Sequence, residues 1–166
     1  NEQLKNIDVK QEGEYDYYSA DSTDHSGFEW EAVFLVNQKF SFSANGALVM
    51  NFFNDGKSIP NIPASLFNLS LNYRPRNYML LFAHWKRVGR MYVDNANTEA
   101  GMIDGYGLLD IGAKYQWRDL EVLVKVNNVF DKLYSTYGYG YESNGYQAFF
   151  WPGATRNSFV NISYHF

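Results

Sequence analysis

The sequence predicts an all-β fold, and more narrowly an antiparallel transmembrane β-barrel. Three observations support this prediction. Apolar and polar residues alternate with a period of two along most of the chain, which is the pattern of strands with one apolar face. The connections between these strands are alternately short and long, as they are in outer-membrane barrels. Aromatic residues make up 19% of the chain although its mean hydropathy is polar, at −0.40, which fits aromatic girdles around a polar lumen.

Seven segments carry the alternation, and each is roughly as long as the 9–11 residues that a tilted strand needs to cross a bilayer. They are GFEWEAVFLV (27–36), FSFSANGALVMNFF (40–53), LFNLSLNYR (66–74), NYMLLFAHWKR (77–87), GLLDIGAKYQW (107–117), LEVLVKVNN (120–128) and the closing FVNISYHF (159–166). The first 26 residues leave alternatives open: the stretch 15–26 lengthens the first strand or forms a loop, and NIDVKQ (6–11) is a candidate for part of an eighth strand.

The alternation also predicts which face of each strand meets lipid. In the first segment Phe28 and Trp30 fall on one face, and Glu29 and Glu31 fall on the other. In a bilayer every backbone group must be paired within a closed sheet, so the apolar face turns to lipid and the polar face lines a lumen. By the same parity we expect lipid contact at Leu71, Ile111, Val124 and Ile162, and a lumen-facing position for Asn72, Asp110, Lys125 and Asn161.

The lengths of the connections predict their side of the membrane. The stretches 37–39, 74–77 and 118–119 are short, whereas 53–63, 90–105 and 135–152 are long. Because outer-membrane barrels have short periplasmic turns and long extracellular loops, we expect the three short stretches in the periplasm and the three long ones outside the cell.

Composition excludes several other functions. The net charge of −4 offers no basic surface for nucleic acid, and the absence of cysteine excludes disulfides and thiolate metal sites. No apolar run of 18 residues is present, so no transmembrane helix is predicted. No phosphate-binding glycine loop and no nucleophile elbow occur. We therefore predict no enzymatic activity and no cofactor.

A metal site is not predicted either. Asp21, Asp24 and His25 lie close together in the sequence, but hard cations need about six oxygen ligands from a defined loop, and this spacing does not supply them. A solvated loop is the favoured interpretation. His84 and His165 fall on polar faces, where a hydrogen-bonded wall histidine is favoured over a metal ligand.

The last long connection is the best candidate for ligand binding. The stretch STYGYGYESNGYQAFFWPG (135–153) places aromatic rings among glycines, and such rings provide stacking area with a hydroxyl group at modest entropic cost. The candidate substrate-binding residues are Tyr137, Tyr139, Tyr141, Tyr146 and Trp151. The alternative is an interfacial aromatic belt in which Phe149 to Trp151 begin the descending strand at the outer headgroup level.

Six segments of the chain, in order, resemble landmarks of the TonB-dependent receptors. They are SGFEWEA (26–32), KSIPNIPASLFNLSLNY (57–73), VGRMYVDNAN (88–97), YGLLDIGAKY (106–115), VKVNNVFDKLY (124–134) and PGATRNSFVNISYHF (152–166). The resemblance spans nearly the whole chain. It implies that residues 1–166 are about seven or eight strands from the C-terminal part of a 22-stranded barrel, which is plugged by a separate N-terminal domain.

The resemblance also implies a function in the outer membrane of a Gram-negative bacterium. That function is TonB-dependent uptake of a scarce nutrient such as siderophore iron, haem, cobalamin or a glycan. Its expected partners are outer-membrane lipid, the rest of the barrel and its plug, the inner-membrane TonB complex acting through that plug, the barrel assembly machinery, and a small-molecule or metal-chelate substrate. Tyr164 and Phe166 of the terminal strand are the expected assembly signal. The alternative is a self-contained small outer-membrane barrel with a structural or adhesive role.

Two further expectations concern polar residues. The charged residues of the polar face are expected to pair across strands or with the plug; they are Glu29, Glu31, Lys86, Asp110, Lys114, Glu121 and Lys125. Asn127, Asn128 and Asp131 are expected to serve fold and turn hydrogen bonding, with Asp131 as a cap at the outer end of its strand.

Overall fold

The computed structural model describes residues 23–166, which form β-strands and one short 3-10 helix, Glu99–Gly101. The strands are β1 (Thr23–Leu35), β2 (Phe40–Phe53), β3 (Ser65–Arg76), β4 (Met79–Val88), β5 (Met91–Tyr92), β6 (Met102–Ile103), β7 (Tyr106–Trp117), β8 (Leu120–Asn127), β9 (Ser135–Glu142), β10 (Tyr146–Pro152) and β11 (Asn157–Tyr164). Seven of them form one antiparallel sheet in the order β1-β2-β3-β4-β7-β8-β11, while β9 pairs with β10 and β5 pairs with β6. The all-β prediction and its seven main strands are confirmed.

The register places the apolar side chains of neighbouring strands side by side. Leu71 pairs with Ala83 of β4, which in turn pairs with Ile111 of β7. The adjacent row carries Ser70, which pairs with His84. Because residues directly opposite in a sheet share a face, the two-residue alternation of each strand adds up to one continuous apolar face and one largely polar face.

The three short connections lie at one end of the sheet and the three long ones at the other, as antiparallel pairing requires. One boundary differs from the prediction. The stretch 74–77 was expected to be a turn, but β3 continues to Arg76 and the turn falls at 77–78. The register shifts between Tyr73 and Arg76, because Pro75 has no N–H to donate and is accommodated in a strand at such an irregularity.

The first strand begins earlier than its clear alternation. Thr23 to Ser26 belong to β1 and pair with the end of β2, so the stretch 15–26 lengthens the strand at least from Thr23. The candidate eighth strand, NIDVKQ (6–11), lies outside the described residues.

Two ion pairs cross from β7 to β8 on the polar face. Lys114 Nζ lies 2.7 Å from Glu121 Oε2, and Lys125 Nζ lies 3.1 Å from Asp110 Oδ2. The expected cross-strand pairing is therefore confirmed for these four residues. Within residues 23–166, no ion pair involves the other three expected residues, which are Glu29, Glu31 and Lys86.

The sheet is open within the described residues. Among residues 23–166, β1 pairs only with β2, and β11 pairs only with β8. Each of these strands therefore presents one row of backbone groups that the described chain does not pair. In the stretch 23–166, no helix is long and apolar enough to cross a membrane.

Candidate functional site

The three long connections pack against one another at one end of the sheet. We call residues 54–64, 89–105 and 128–156 the loop cluster. Its small core consists of Met91, Val93 and Ile103, which are 3–5% exposed, and Ala148 of β10 packs against it. The stretch 135–152, predicted as a loop, is mostly the β9–β10 hairpin, and this hairpin docks on the core rather than projecting freely.

The hairpin has two faces of very different character. One face carries six side chains, which we call the aromatic face. They are Tyr137, Tyr139, Tyr141, Gln147, Phe149 and Trp151. Tyr137 packs edge-on against Trp151 with ring centroids 5.2 Å apart, and Tyr141 stacks with Phe149 at 6.3 Å. The Tyr141 hydroxyl donates to Gln147 Oε1 at 3.0 Å.

The aromatic face is uncharged and accessible. Tyr137, Tyr139, Phe149 and Trp151 each leave about half of their surface exposed. Large rings exposed side by side on a short hairpin form a surface for stacking, with hydroxyl and amide groups available for orientation.

The opposite face of the hairpin carries small residues, Gly138, Gly140 and Ala148, where it approaches the core. A Cβ at Gly138 would collide with the Val93 side chain, and a Cβ at Gly140 would meet the Tyr146 hydroxyl and lie 3.2 Å from Val93 Cγ2. The alternating Tyr-Gly sequence of β9 therefore has a structural meaning, since the glycines permit close packing while every tyrosine between them points to the exposed side.

Tyr146 lies on this packed face, away from the other four candidate residues. Its hydroxyl donates to Asp94 Oδ2, and Asp94 Oδ1 also accepts from the backbone N–H of Thr98 at 3.1 Å and from its hydroxyl at 3.2 Å. Burial, together with the hydrogen bond to Asp94, raises the pKa of Tyr146 to about 12. The tyrosine therefore stays neutral at physiological pH and acts as a hydrogen-bond donor.

Two asparagines connect the loops by imitating a backbone peptide. Asn61 Nδ2 donates to the Gly138 carbonyl and Asn61 Oδ1 accepts from the Gly138 N–H, both at 3.0 Å. Asn97 makes the same pair of bonds to Ser58, at 2.8 and 2.6 Å. Both asparagines have positive φ, 58° and 57°, a conformation that asparagine tolerates better than most residues.

A third asparagine organises the base of the hairpin. Asn128, buried and at φ 49°, accepts from the Lys132 N–H and donates to the carbonyls of Lys132 and Ala154. Asp131 Oδ1 accepts from the Arg156 N–H at 2.8 Å, one residue before β11. The prediction that Asn128 and Asp131 serve fold and turn hydrogen bonding is confirmed, but Asp131 bonds beside the start of β11 and not at the outer end of its own strand, β8.

The structure thus brings together Tyr137, Tyr139, Tyr141 and Trp151 and adds Phe149 to them. Phe149 to Trp151 belong to β10, whereas the descending strand β11 begins at Asn157. Sequence reasoning did not single out Asp94, Asn61 and Asn97 as supports for the hairpin. The signal that was available is that all three lie within the segments used above for the resemblance, VGRMYVDNAN and KSIPNIPASLFNLSLNY.

The expected assembly signal and His25 lie on or beside the main sheet and not in the hairpin. The Tyr164 and Phe166 rings, the expected assembly signal, pack edge-on with their centroids 5.2 Å apart, and both are exposed.

His25 Nδ1 lies 2.8 Å from Asn51 Oδ1 and His25 Nε2 lies 3.0 Å from Thr23 Oγ1, so both ring nitrogens have protein partners. Asp21 lies outside the described residues, and from residue 23 onward no group of three acidic or histidine side chains is placed to hold a metal ion.

The architecture defines a class of protein, namely a β-barrel wall with an elaborated loop cluster at one end. The family model "TonB dependent receptor-like, beta-barrel" matches residues 3–129. The chain therefore belongs to the TonB-dependent receptor β-barrel family, a family of transport receptors. No curated protein matches the sequence at a significant level.

Solved structures share the fold. The ferric yersiniabactin uptake receptor FyuA from Yersinia pestis matches with a TM-score of 0.76 and 24% identity, over 87% of this chain and 24% of the receptor. The siderophore receptor PiuA from Acinetobacter baumannii matches with a TM-score of 0.71 and 19% identity, over 86% of this chain and 22% of the receptor. The copper transporter OprC matches with a TM-score of 0.69 and 17% identity, over 87% of this chain and 24% of the transporter. The chain spans about a quarter of the length of these structures.

Proposed function

We propose that this chain forms part of the wall and the outer loops of a receptor that takes up a scarce nutrient through the outer membrane of a Gram-negative bacterium. The receptor binds its substrate outside the cell without covalent chemistry. Energy for uptake comes from the inner-membrane TonB complex and acts through a plug domain in the barrel. The observation that carries the proposal is the exposed aromatic face, which is held on the loop cluster at the end of the sheet opposite the short turns.

The aromatic face supplies the substrate contact in this proposal. Tyr137, Tyr139, Tyr141 and Trp151 contact the substrate by stacking, and Tyr146 contributes by holding the hairpin. Of the similar structures named above, one is a ferric yersiniabactin uptake receptor, one is a siderophore receptor and one is a copper transporter. This supports a metal chelate as the first substrate class to test, followed by haem, cobalamin and oligosaccharides.

The experiment uses cells that lack the receptor and carry the intact receptor gene on a plasmid. Growth is measured with each nutrient class as the sole source of the limiting element or carbon. The nutrient that restores growth is then tested with Tyr139→Ala and Trp151→Ala on the aromatic face, and with Ser163→Ala, far from the hairpin, as a control. Loss of uptake in the two hairpin variants but not in the control supports the proposal. Unchanged uptake in all three contradicts substrate contact at this face.

The terminal strand is proposed to act during assembly. Tyr164 and Phe166 leave their rings exposed, so they are available to the barrel assembly machinery. In the intact receptor, Phe166→Ala is expected to lower the amount of receptor in the outer membrane, whereas Phe149→Ala, on the hairpin, is expected to leave it unchanged. Equal amounts of the unmodified receptor and of both variants on immunoblots of outer membranes would contradict the assembly role.

A further inference from the structure

Asp94 is the one buried charged side chain among residues 23–166, with 8% of its surface exposed. A buried carboxylate is costly unless hydrogen bonds compensate it. Its two oxygens have different partners. Oδ1 accepts both bonds from Thr98 in its own loop, and Oδ2 accepts a bond from Tyr146 in the hairpin. The first oxygen therefore orders the loop, and the second connects this loop to β10.

Tyr146 is seated in a socket that two glycines leave open. Its hydroxyl occupies the space that a Cβ at Gly101 or at Gly140 would fill. Gly101 belongs to the same loop as Asp94, and Gly140 belongs to β9. The hydroxyl end of the ring thus lies between the two glycines, and the hydroxyl donates to the Asp94 carboxylate.

The position of Tyr146 fixes the orientation of the aromatic face. Side chains alternate across a strand, so Tyr146 points into the loop cluster while the adjacent Gln147 points to the opposite side with the exposed rings. Rotation or lifting of the hairpin would have to withdraw Tyr146 from its socket.

The three loops also contact one another in a closed circuit. Residues 54–64 bind the hairpin through Asn61 and bind residues 89–105 through Asn97 and through the Asn61 N–H, which donates to Tyr92 at 2.7 Å. The circuit is completed by the bond from Tyr146 to Asp94, which joins the hairpin to residues 89–105. A loop in such a circuit cannot shift without breaking contacts to both of the others.

We propose that Asp94 is a positioning residue for substrate binding, which acts through Tyr146 to hold the aromatic face in one fixed orientation on the loop cluster. Asp94 itself does not touch the substrate. This proposal rests on the proposed function, because it assumes that the aromatic face binds substrate. The contact between Tyr146 and Asp94 itself does not depend on which substrate is bound.

The test is hydrogen–deuterium exchange of the hairpin amides, residues 136–150, in the intact purified receptor without substrate. The variants are Tyr146→Phe, Asp94→Ala and the double variant. Losing a hydrogen bond to a buried charge is expected to speed exchange about ten- to a hundred-fold. Ser143→Ala, which removes a hydroxyl from the exposed turn of the same hairpin, is the control and is expected to leave exchange of the core-packed amides unchanged.

The double variant distinguishes positioning through Tyr146 from a structural role within the loop. If Asp94 acts through Tyr146, the double variant exchanges in the hairpin no faster than Asp94→Ala alone. Thr98→Val removes the hydroxyl bond to Asp94 Oδ1 and leaves the bond from the Thr98 N–H, so it is expected to speed exchange of the hairpin less than Tyr146→Phe does. Additive effects in the double variant, or hairpin exchange that Tyr146→Phe does not change, overturn the proposal. Failure of uptake assays alone would leave these exchange results intact and would count against the proposed function instead.

Discussion

Asn61 and Gly138 lie 77 residues apart in the sequence, and the side-chain amide of Asn61 pairs with both polar groups of Gly138, the N–H and the carbonyl, at 3.0 Å each. The asparagine acts here as a one-residue strand partner for β9. Within residues 23–166 no third strand pairs with this hairpin. The asparagine therefore satisfies backbone groups at its edge that would otherwise be open to water or to another chain.

The first prediction concerns this contact. Asn61→Gly keeps the positive φ accessible but removes the amide, whereas Asn61→Ala removes the amide and strains the backbone. We expect the free energy of hairpin opening to fall by about 1–2 kcal/mol in Asn61→Gly, for two neutral hydrogen bonds, and further in Asn61→Ala. Hydrogen exchange of the Gly138 region in the intact receptor measures both. If amides near Gly138 exchange in both variants at the rate of the unmodified receptor, Asn61 does not hold the hairpin as described.

The second prediction concerns pH. The pKa of Tyr146 is raised to about 12 by burial and by the adjacent Asp94, and the charge of Glu142 acts in the same direction. A raised pKa means that the folded state favours the neutral phenol, so the stabilisation is complete below the ordinary tyrosine pKa near 10 and is lost as pH rises through about 12. The difference in phenolate absorbance between the intact receptor and its Tyr146→Phe variant should therefore titrate near pH 12. A midpoint near 10 would show that Tyr146 is not held as described.

The third prediction concerns the two faces of the sheet. Val124 lies between Ala113 of β7 and Val160 of β11 on the apolar face. Asn127, three residues on, lies on the other face and donates to Asn157 Oδ1 at 2.8 Å. Arginine at Val124 is expected to cost roughly 2–4 kcal/mol near mid-bilayer, and arginine at Asn127 much less. Unfolding of the intact receptor in lipid vesicles by denaturant measures the difference. Equal costs would contradict this assignment of the faces, and a higher cost at Asn127 would indicate that they are exchanged, since a slip by one residue reverses them.

The fourth prediction concerns the packed face of the hairpin. Gly138→Ala places a methyl group against Val93 and is expected to displace the hairpin from the core of the loop cluster. Ser143→Ala, in the exposed turn of the same hairpin, adds no contact and serves as the control. Limited proteolysis of the intact receptor should cut the hairpin faster in Gly138→Ala only. Equal resistance of both variants would mean that the hairpin does not dock as closely as the structure indicates.

The main sheet was predictable from the sequence because one physical rule dominates it. Leu71 and Ile162 alternate with polar neighbours since one face of each strand meets an apolar environment, and this pattern sets both strand positions and facing. Pro75 was misassigned because proline most often marks a turn, and only the register shows that the strand accommodates it at an irregularity.

The loop cluster was less predictable because its contacts are not periodic. The Tyr-Gly alternation from Tyr137 to Tyr141 was visible, but its meaning depends on Val93, which lies in another connection. Nothing in the sequence distinguishes Asp94 from the other acidic residues of the connections. Only the fold shows that it is buried and that its second oxygen faces Tyr146, because contacts between distant loops are set by how the strands beneath them are ordered.

The most direct test of the account is the side of the membrane on which the loop cluster lies. Single cysteines are introduced into the intact receptor by Ser143→Cys, at the turn of the hairpin, and by Asn77→Cys, in the short turn between β3 and β4. Whole cells are then treated with a maleimide that does not cross the outer membrane. The account predicts labelling of the Ser143→Cys receptor and no labelling of the Asn77→Cys receptor until the membrane is permeabilised. Labelling of the Asn77→Cys receptor in intact cells, with the Ser143→Cys receptor protected, would contradict it.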